Sequence, residues 1–439
     1  MVNNRMIVSL FVVMLTVAMP VTVLATPDIQ SWQTSNGAKV LFVEAPDLPM
    51  VDMRVVFDAG SARDGEIPGI AMLTNSMLTE GAGSWDADQI AERVESVGAE
   101  LSIQALRDMS VISLRSLTEG KALTRAIETM AAVIARPTFQ QQALDRNLQA
   151  LKIVLRQEQQ SPSEIASKAF FKAMYADHPY AHSSNGTEES IKLMTRDALV
   201  NFHKQFYVGR NAIIAIVGAV TKQQAAELAE KVIAGLPAGE HAPALPAVDL
   251  DQAVLRNEIA FPSSQAHLYI GLPVLSRMDP DYFPLYVGNH VLGGSGLVSR
   301  LSVEVRENRG LAYSSYSYFS PMRAPGPFMI GLQTKNSQAK QAEQVVLETL
   351  QNYMQKGPTA EELTRSKQNI TGGFPLRLSS NKKIIEYLAM LGFYDLPLDY
   401  LDTFVDRVNA VTAEQIRDAF NRRVQTDKMS TIVVGQLAE

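Results

Sequence analysis

Two stretches of this chain align without a gap, so a fold that accommodates one must accommodate the other. Residues 195–220 read TRDALVNFHKQFYVGRNAIIAIVGAV and residues 412–437 read TAEQIRDAFNRRVQTDKMSTIVVGQL. Each opens on a threonine suited to capping a helix, followed by Asp197 or Glu414 in the first turn, where an acid complements the helix dipole. Apolar residues at helical spacing follow, then a β-branched strand that ends at Gly218 or Gly435. Helix-then-strand units occur in any α/β protein. The coincidence of threonine, acid and glycine favours an internal duplication.

A duplication divides the 439 residues into two similar halves, and this length is too great for one ordinary core. Residues 238–247, AGEHAPALPA, have the Ala/Pro composition of a linker. The expected domains are 26–237 and 248–439. Residues 39–45 and 51–59 read as strands, 88–97 as a helix, and 100–117 as a hairpin-like pair. Helices fill much of 118–176. In the second half, 266–272 and 328–334 read as strands and 339–355 as a long helix. This mixture predicts an α+β fold: two homologous α/β sandwich domains, each a β-sheet with helices packed on one face.

The first 25 residues differ from the rest. Arg5 precedes an apolar run over 6–24, and Val23 and Ala25 stand at the −3 and −1 positions of a cleavage site. This pattern predicts a secretory leader cleaved after Ala25 and a periplasmic location in a Gram-negative source. The run is long enough for an uncleaved membrane anchor as the other reading, and Pro20 with the good cleavage site favours removal. The chain has no cysteine, which excludes disulfides, thiolate metal sites and cysteine nucleophiles. Its formal charge of −6 and the absence of a basic block argue against a nucleic-acid partner.

Residues 69–81, GIAMLTNSMLTEG, resemble the zinc helix of the insulinase/pitrilysin peptidases, the inverzincins, whose pattern is G-x-A-H-x-x-E-H-M-L-x-x-G. On that pattern Met72 stands for the first histidine, Asn75 for the glutamate base and Ser76 for the second histidine. These positions share one helix face at i, i+3, i+4. Further likeness lies in Ala59-Gly60-Ser61, in Asp177-His178-Pro179-Tyr180 followed by 186–191 (GTEESI), in VLGGSGLVSRL at 291–301 and in RENRGLAY at 306–313. Their order covers almost the whole mature chain and resembles the half-length processing-peptidase branch, whose subunits pair. The family's third ligand, a glutamate, maps to residues 150–157, which hold no carboxylate; Val154 is the best match. All ligands and the base are thus missing, and zinc hydrolysis requires three protein ligands plus an open position.

The resemblance implies a non-catalytic subunit with no cofactor of its own. Its partner would be a homologous chain carrying H-x-x-E-H and the zinc, and its substrates unfolded peptides. In such pairs the half facing the metal contributes an Arg and a Tyr seven residues apart, which here match Arg306 and Tyr313, with Arg309 as the alternative arginine. Donors of this kind, aimed at a carbonyl oxygen gaining charge, lower the barrier to hydrolysis. Read alone, Arg306 is a solvated helix end and Tyr313 a strand aromatic. Strict alternation places Tyr313 on the face opposite Tyr316 and Tyr318, and Gly310 can end the helix. Gly293, Gly294 and Gly296 resemble the family's substrate-touching glycine loop, which otherwise reads as a turn. Ser295 lacks the final glycine of a nucleophile elbow. The D-H-x-x-x-H cluster of Asp177, His178 and His182 lies in a loop and reads as structural; His203, His241, His267 and His290 are scattered. Residues 102–106 read as an exposed sheet edge of the kind to which peptides add a strand. Two other classes stand beside the peptidase subunit: a scaffold subunit, like the core subunits of the respiratory bc1 complex, and a stand-alone peptide-binding protein.

Overall fold

The computed structural model describes residues 26–251 and 253–436, and the leader expected at 1–25 lies outside them. Among the described residues no helix is long and apolar enough to cross a membrane. The first half contributes β1 (Gln30–Gln33), β2 (Lys39–Glu44), β3 (Met50–Phe57), a two-residue pair β4 (Gly81–Ala82) and β5 (Trp85–Asp86), β6 (Glu100–Ala105), β7 (Ser110–Leu117) and β8 (Ala212–Gly218). The second half contributes β9 (Arg256–Ala260), β10 (Gln265–Leu275), β11 (Ala312–Phe319), β12 (Gly326–Lys335) and β13 (Ser430–Gly435).

The strands form two sheets of one design. The first runs β1-β2-β8-β3-β7-β6 and the second β11-β12-β10-β13-β9. Strand β8 is parallel to β2 and antiparallel to β3, as β13 is parallel to β9 and antiparallel to β10. The repeated segments therefore occupy equivalent places. Thr195 and Thr412 each accept the backbone N–H three residues on, at 3.2 and 3.1 Å. A Cβ on Gly218 would stand 2.4 Å from the carbonyl oxygen of Met50, and one on Gly435 2.6 Å from Oδ1 of Asn336. Both strands end where neighbouring chain approaches too closely for a side chain.

Each sheet packs its own helices on one face, as the pattern predicts. In the first half Phe42, Phe57, Ile214 and Ile216 join Leu73 and Leu199 in a single core. The other face of each sheet is covered as well. Leu41, Val56, Ala215 and Val217 point the other way and are buried against the second half, chiefly by the helix Asn381–Phe393, which packs on β8 and β3. Reciprocally, the first half's helix Pro162–Tyr175 packs on β10 and β13, burying Phe170 with Ile432 and Val434. Strand β8, AIIAIVG, is buried along almost its whole length, so neither of its faces can meet water.

Polar contacts close the same interface. Asp58 accepts two bonds from Arg63 at 2.6 and 2.7 Å and stands 3.3 Å from Arg323 Nε of the second half. Asp108 accepts Tyr180 OH, the backbone N–H of Arg323 and Tyr394 OH, the last two at 2.9 Å. Residues 238–247 form no helix or strand, yet they are held: Arg63 donates to Pro243 O at 2.6 Å, and His178 Nε2 lies 3.1 Å from Pro246 O.

Candidate functional site

The helix Ile70–Met77 begins at Gly69, whose φ of +93° suits glycine. A Cβ there would lie 2.9 Å from the backbone of Asn185 and Gly186. Gly186 itself, at φ +74°, has no room for a Cβ beside Pro68 O, 2.2 Å away. The glycine frame of the motif thus records where the 178–191 loop abuts the helix start. Asp64 caps that start, accepting Gly69 N at 2.7 Å and Ala71 N at 2.9 Å. Burial raises its carboxyl to about 8, against the pull of those two N–H groups. His182 Nδ1 lies 3.9 Å from Asp64, and burial, then Arg107, holds the imidazole below its ordinary pKa.

The residues at the metal positions do not fit zinc. Asn75 is buried and donates through Nδ2 to Ser110 Oγ at 2.6 Å. That oxygen shares a 2.8 Å bond with the hydroxyl of Tyr207, which burial pushes up to about 12. Ser76 Oγ donates to the carbonyl of Met72 one turn earlier at 3.0 Å. Met72 offers only a thioether, and Val154, on a helix that packs against this one, is an aliphatic residue 38% exposed. Among the described residues no cluster of three or more His, Asp or Glu could hold an ion.

Arg306 and Tyr313, by contrast, line one cavity of about 360 Å³, together with Gln265, Gly310, Gln333 and Lys335. Arg306 sits in a π-helical turn, Val303–Glu307. Gly310, at φ +60°, then turns the chain into β11, an edge strand. Neither Arg306 nor Tyr313 has a side-chain hydrogen bond or ion pair among the described residues, and Tyr313 is 85% exposed. Arg309, the alternative arginine, is committed to Glu304, bonding its carboxylate and, at 2.9 Å, its carbonyl.

The face expected for Tyr313 needs correcting. Ala312 pairs with Thr334 but Ser315 with Leu332, so three steps on β11 oppose two on β12. This bulge shifts the alternation by one. Ser315 and Ser317 point inward, while Tyr313, Tyr316 and Tyr318 are all at least partly exposed.

The glycine loop does not join this cavity. Residues His290–Gly294 form a π-helical turn and Gly296–Val298 a 3-10 turn, rather than a simple turn between helices. Gly293 has no room for a Cβ, which would lie 2.3 Å from Ser317 Oγ. Gly293, Gly294 and Gly296 instead border a second cavity of about 590 Å³, shared with Arg277 and Arg377. Sequence reasoning missed these two arginines; they are a hundred residues apart and carry no local motif. Strand β6 is the free edge of the first sheet, as expected for 102–106, and it flanks the emptied helix. His178 is structural: its Nδ1 accepts Tyr180 N at 3.1 Å while Nε2 faces Pro246 O. His203 is held near Ile134 O at 2.8 Å, and burial lowers its pKa to about 4.

Known proteins resemble this chain in sequence and fold. A family model described as insulinase (peptidase family M16) matches residues 39–188, and one described as the peptidase M16 inactive domain matches residues 194–370. The crystal structure of a peptidase M16 inactive domain from Pseudomonas fluorescens superposes with a TM-score of 0.91 at 39% identity, covering 94% of this chain and 99% of that one. A Bacillus subtilis protein described as an uncharacterized zinc protease is 27% identical over 395 residues, 88% of this chain and 94% of its own. A Helicobacter pylori protein described as a non-peptidase homolog is 26% identical over 412 residues, 92% of this chain and 93% of its own.

Proposed function

The chain belongs to the insulinase family of peptidases, family M16, and on that premise we propose that it is the non-zinc-binding subunit of an exported two-chain metallopeptidase. Its partner is a homologous chain carrying H-x-x-E-H, which supplies the metal and the general base. This chain supplies Arg306 and Tyr313. One observation carries the reading: no metal position holds a histidine or a carboxylate, while Arg306 and Tyr313 line one cavity with no side-chain partner among the described residues. A buried or paired arginine would be structural. A half-buried, unpaired guanidinium and an exposed phenol on one cavity leave N–H and O–H donors for a ligand.

In this reading Tyr313 and Arg306 donate to the oxygen of the scissile carbonyl, and the arginine also fixes the orientation of the peptide. Donors aimed at the developing charge contribute about 3 kcal/mol each, or roughly 100-fold in turnover. Unfolded peptides are the substrates, since an edge strand beside the cavity can accept an extended chain.

The test is to purify this chain alone and together with an H-x-x-E-H homologue, then measure bound zinc and hydrolysis of a quenched fluorescent peptide. The isolated chain is expected to carry less than stoichiometric zinc and no turnover. In the pair, Arg306→Ala and Tyr313→Phe are each expected to lower turnover by about 100-fold without changing zinc content. Stoichiometric zinc or hydrolysis in the isolated chain overturns the proposal. Turnover unchanged by both substitutions would favour the scaffold reading, with which the Helicobacter relative's description as a non-peptidase homolog agrees.

A further inference from the structure

The cavity of about 590 Å³ behind the glycine loop has an unusual charge balance: no aspartate or glutamate lines it, and two arginines do. Arg277 follows the end of β10, and Arg377 lies in the 3-10 helix Pro375–Leu378. Neither forms an ion pair among the described residues, whereas Arg422 and Arg423 hold the nearby carboxylates Asp279 and Asp281 at 2.7–2.9 Å. Nε of Arg277 is buried without a hydrogen-bond partner. The guanidinium is instead 5.3 Å from the centroid of the Tyr394 ring and 6.0 Å from that of Tyr282. Tyr282 stacks on Tyr286 at 5.7 Å, and Arg377 stands at the far end of that stack, beside Tyr286. Two cations are thus held at either end of an aromatic wall, facing an acid-free space.

Arg277 is half-buried with its Nε unbonded and has no counter-charge, which an anion would supply, while Arg377 is exposed. A carboxylate matches its planar fork, and the tyrosine rings suit the apolar part of a chain. The occupant follows from position. Strand β11 borders both cavities, with Tyr313 in one and Tyr316 and Tyr318 in the other. At about 3.3 Å per residue the two sites lie on the order of 15 Å apart along this edge. That is a span of some four to six extended residues. We propose that the Arg277/Arg377 cavity is a carboxylate subsite that binds an acidic side chain or the terminal carboxylate of a peptide engaged at Arg306 and Tyr313. This deepens the peptidase-subunit reading and rests on it.

Binding is measured on the full chain alone by fluorescence anisotropy, using short dye-labelled peptides. One carries a single internal glutamate and an amidated C-terminus, one carries glutamine in its place, and one is neutral with a free C-terminal carboxylate. At least one carboxylate peptide is expected to bind about tenfold more tightly than the glutamine peptide, the size of one charge-assisted hydrogen bond. Preference for the first assigns an acidic side chain, and preference for the third assigns the chain terminus. Arg277→Gln and Arg377→Gln are each expected to remove most of that preference, and Arg277→Lys to restore part of it, with thermal unfolding confirming a native fold. Equal affinity for all three peptides overturns the proposal, as does a preference that survives in the folded double Arg277→Gln/Arg377→Gln variant. Because binding is read without a partner, failure here leaves the Arg306/Tyr313 turnover test standing, and failure there leaves this one.

Discussion

Asn75 occupies the place of the family's general base, and burial has given it a structural task. Its amide donates to Ser110 Oγ, which is joined in turn to the buried hydroxyl of Tyr207. Asn75→Ala removes the donor and opens a small void, so an unfolding free energy lower by about 1–3 kcal/mol is expected in urea denaturation. A change within error would mean that the amide contributes nothing net. That Asn75 cannot act as a base is legible in the sequence, because an amide has no proton-accepting carboxylate. That it anchors β7 is not, since Ser110 and Tyr207 meet it only through the fold. The choice between Arg306 and Arg309 divides the same way. The seven-residue spacing to Tyr313 selects Arg306, and only the fold shows that Arg309, the alternative, is paired with Glu304.

At the scale of elements, the start of the Ile70–Met77 helix is governed by Asp64. Burial lifts its carboxyl to about 8 although Gly69 and Ala71 both donate to it. The folded protein therefore holds this proton more tightly than the unfolded chain, where a carboxyl titrates near about 4. Stability from this group is complete below about pH 4 and is lost progressively as pH rises to about 8. Asp64→Asn keeps an acceptor at the cap but cannot ionise, so its urea midpoint is expected to fall less than the parent's between those limits. A variant profile as steep as the parent's would sink this assignment. The cap was not legible in the sequence, since Asp64 lies five residues before Gly69, outside the usual capping position. The bulge in β11 escaped for a related reason. One inserted residue reverses the parity of every side chain before it, and nothing in the residues 312–315 marks the insertion.

At the scale of the molecule, two sheets of one topology are locked together by exchanging a helix and by Asp108. This carboxylate from the first half takes Tyr394 OH and the Arg323 N–H from the second, along with Tyr180 OH from its own. Asp108→Ala leaves three donors without an acceptor. A loss of more than about 3 kcal/mol is expected, at roughly 1–3 for each orphaned group. It should be visible as a lower melting temperature and faster proteolysis within residues 238–247. Unchanged proteolysis there would show that apolar packing alone holds the halves. The sequence by itself determined the duplication, most of the strands and long helices, and the loss of every metal ligand. These rest on local periodicity, on capping chemistry and on the identity of donor atoms, none of which needs a neighbour in space. Only the tertiary structure decided which helix covers which sheet, that Arg306 and Tyr313 share a cavity apart from the glycine loop, and that Arg277 and Arg377 line another. Those are relations between side chains distant in sequence, and they arise only when the burial of both faces of each sheet brings the two halves together.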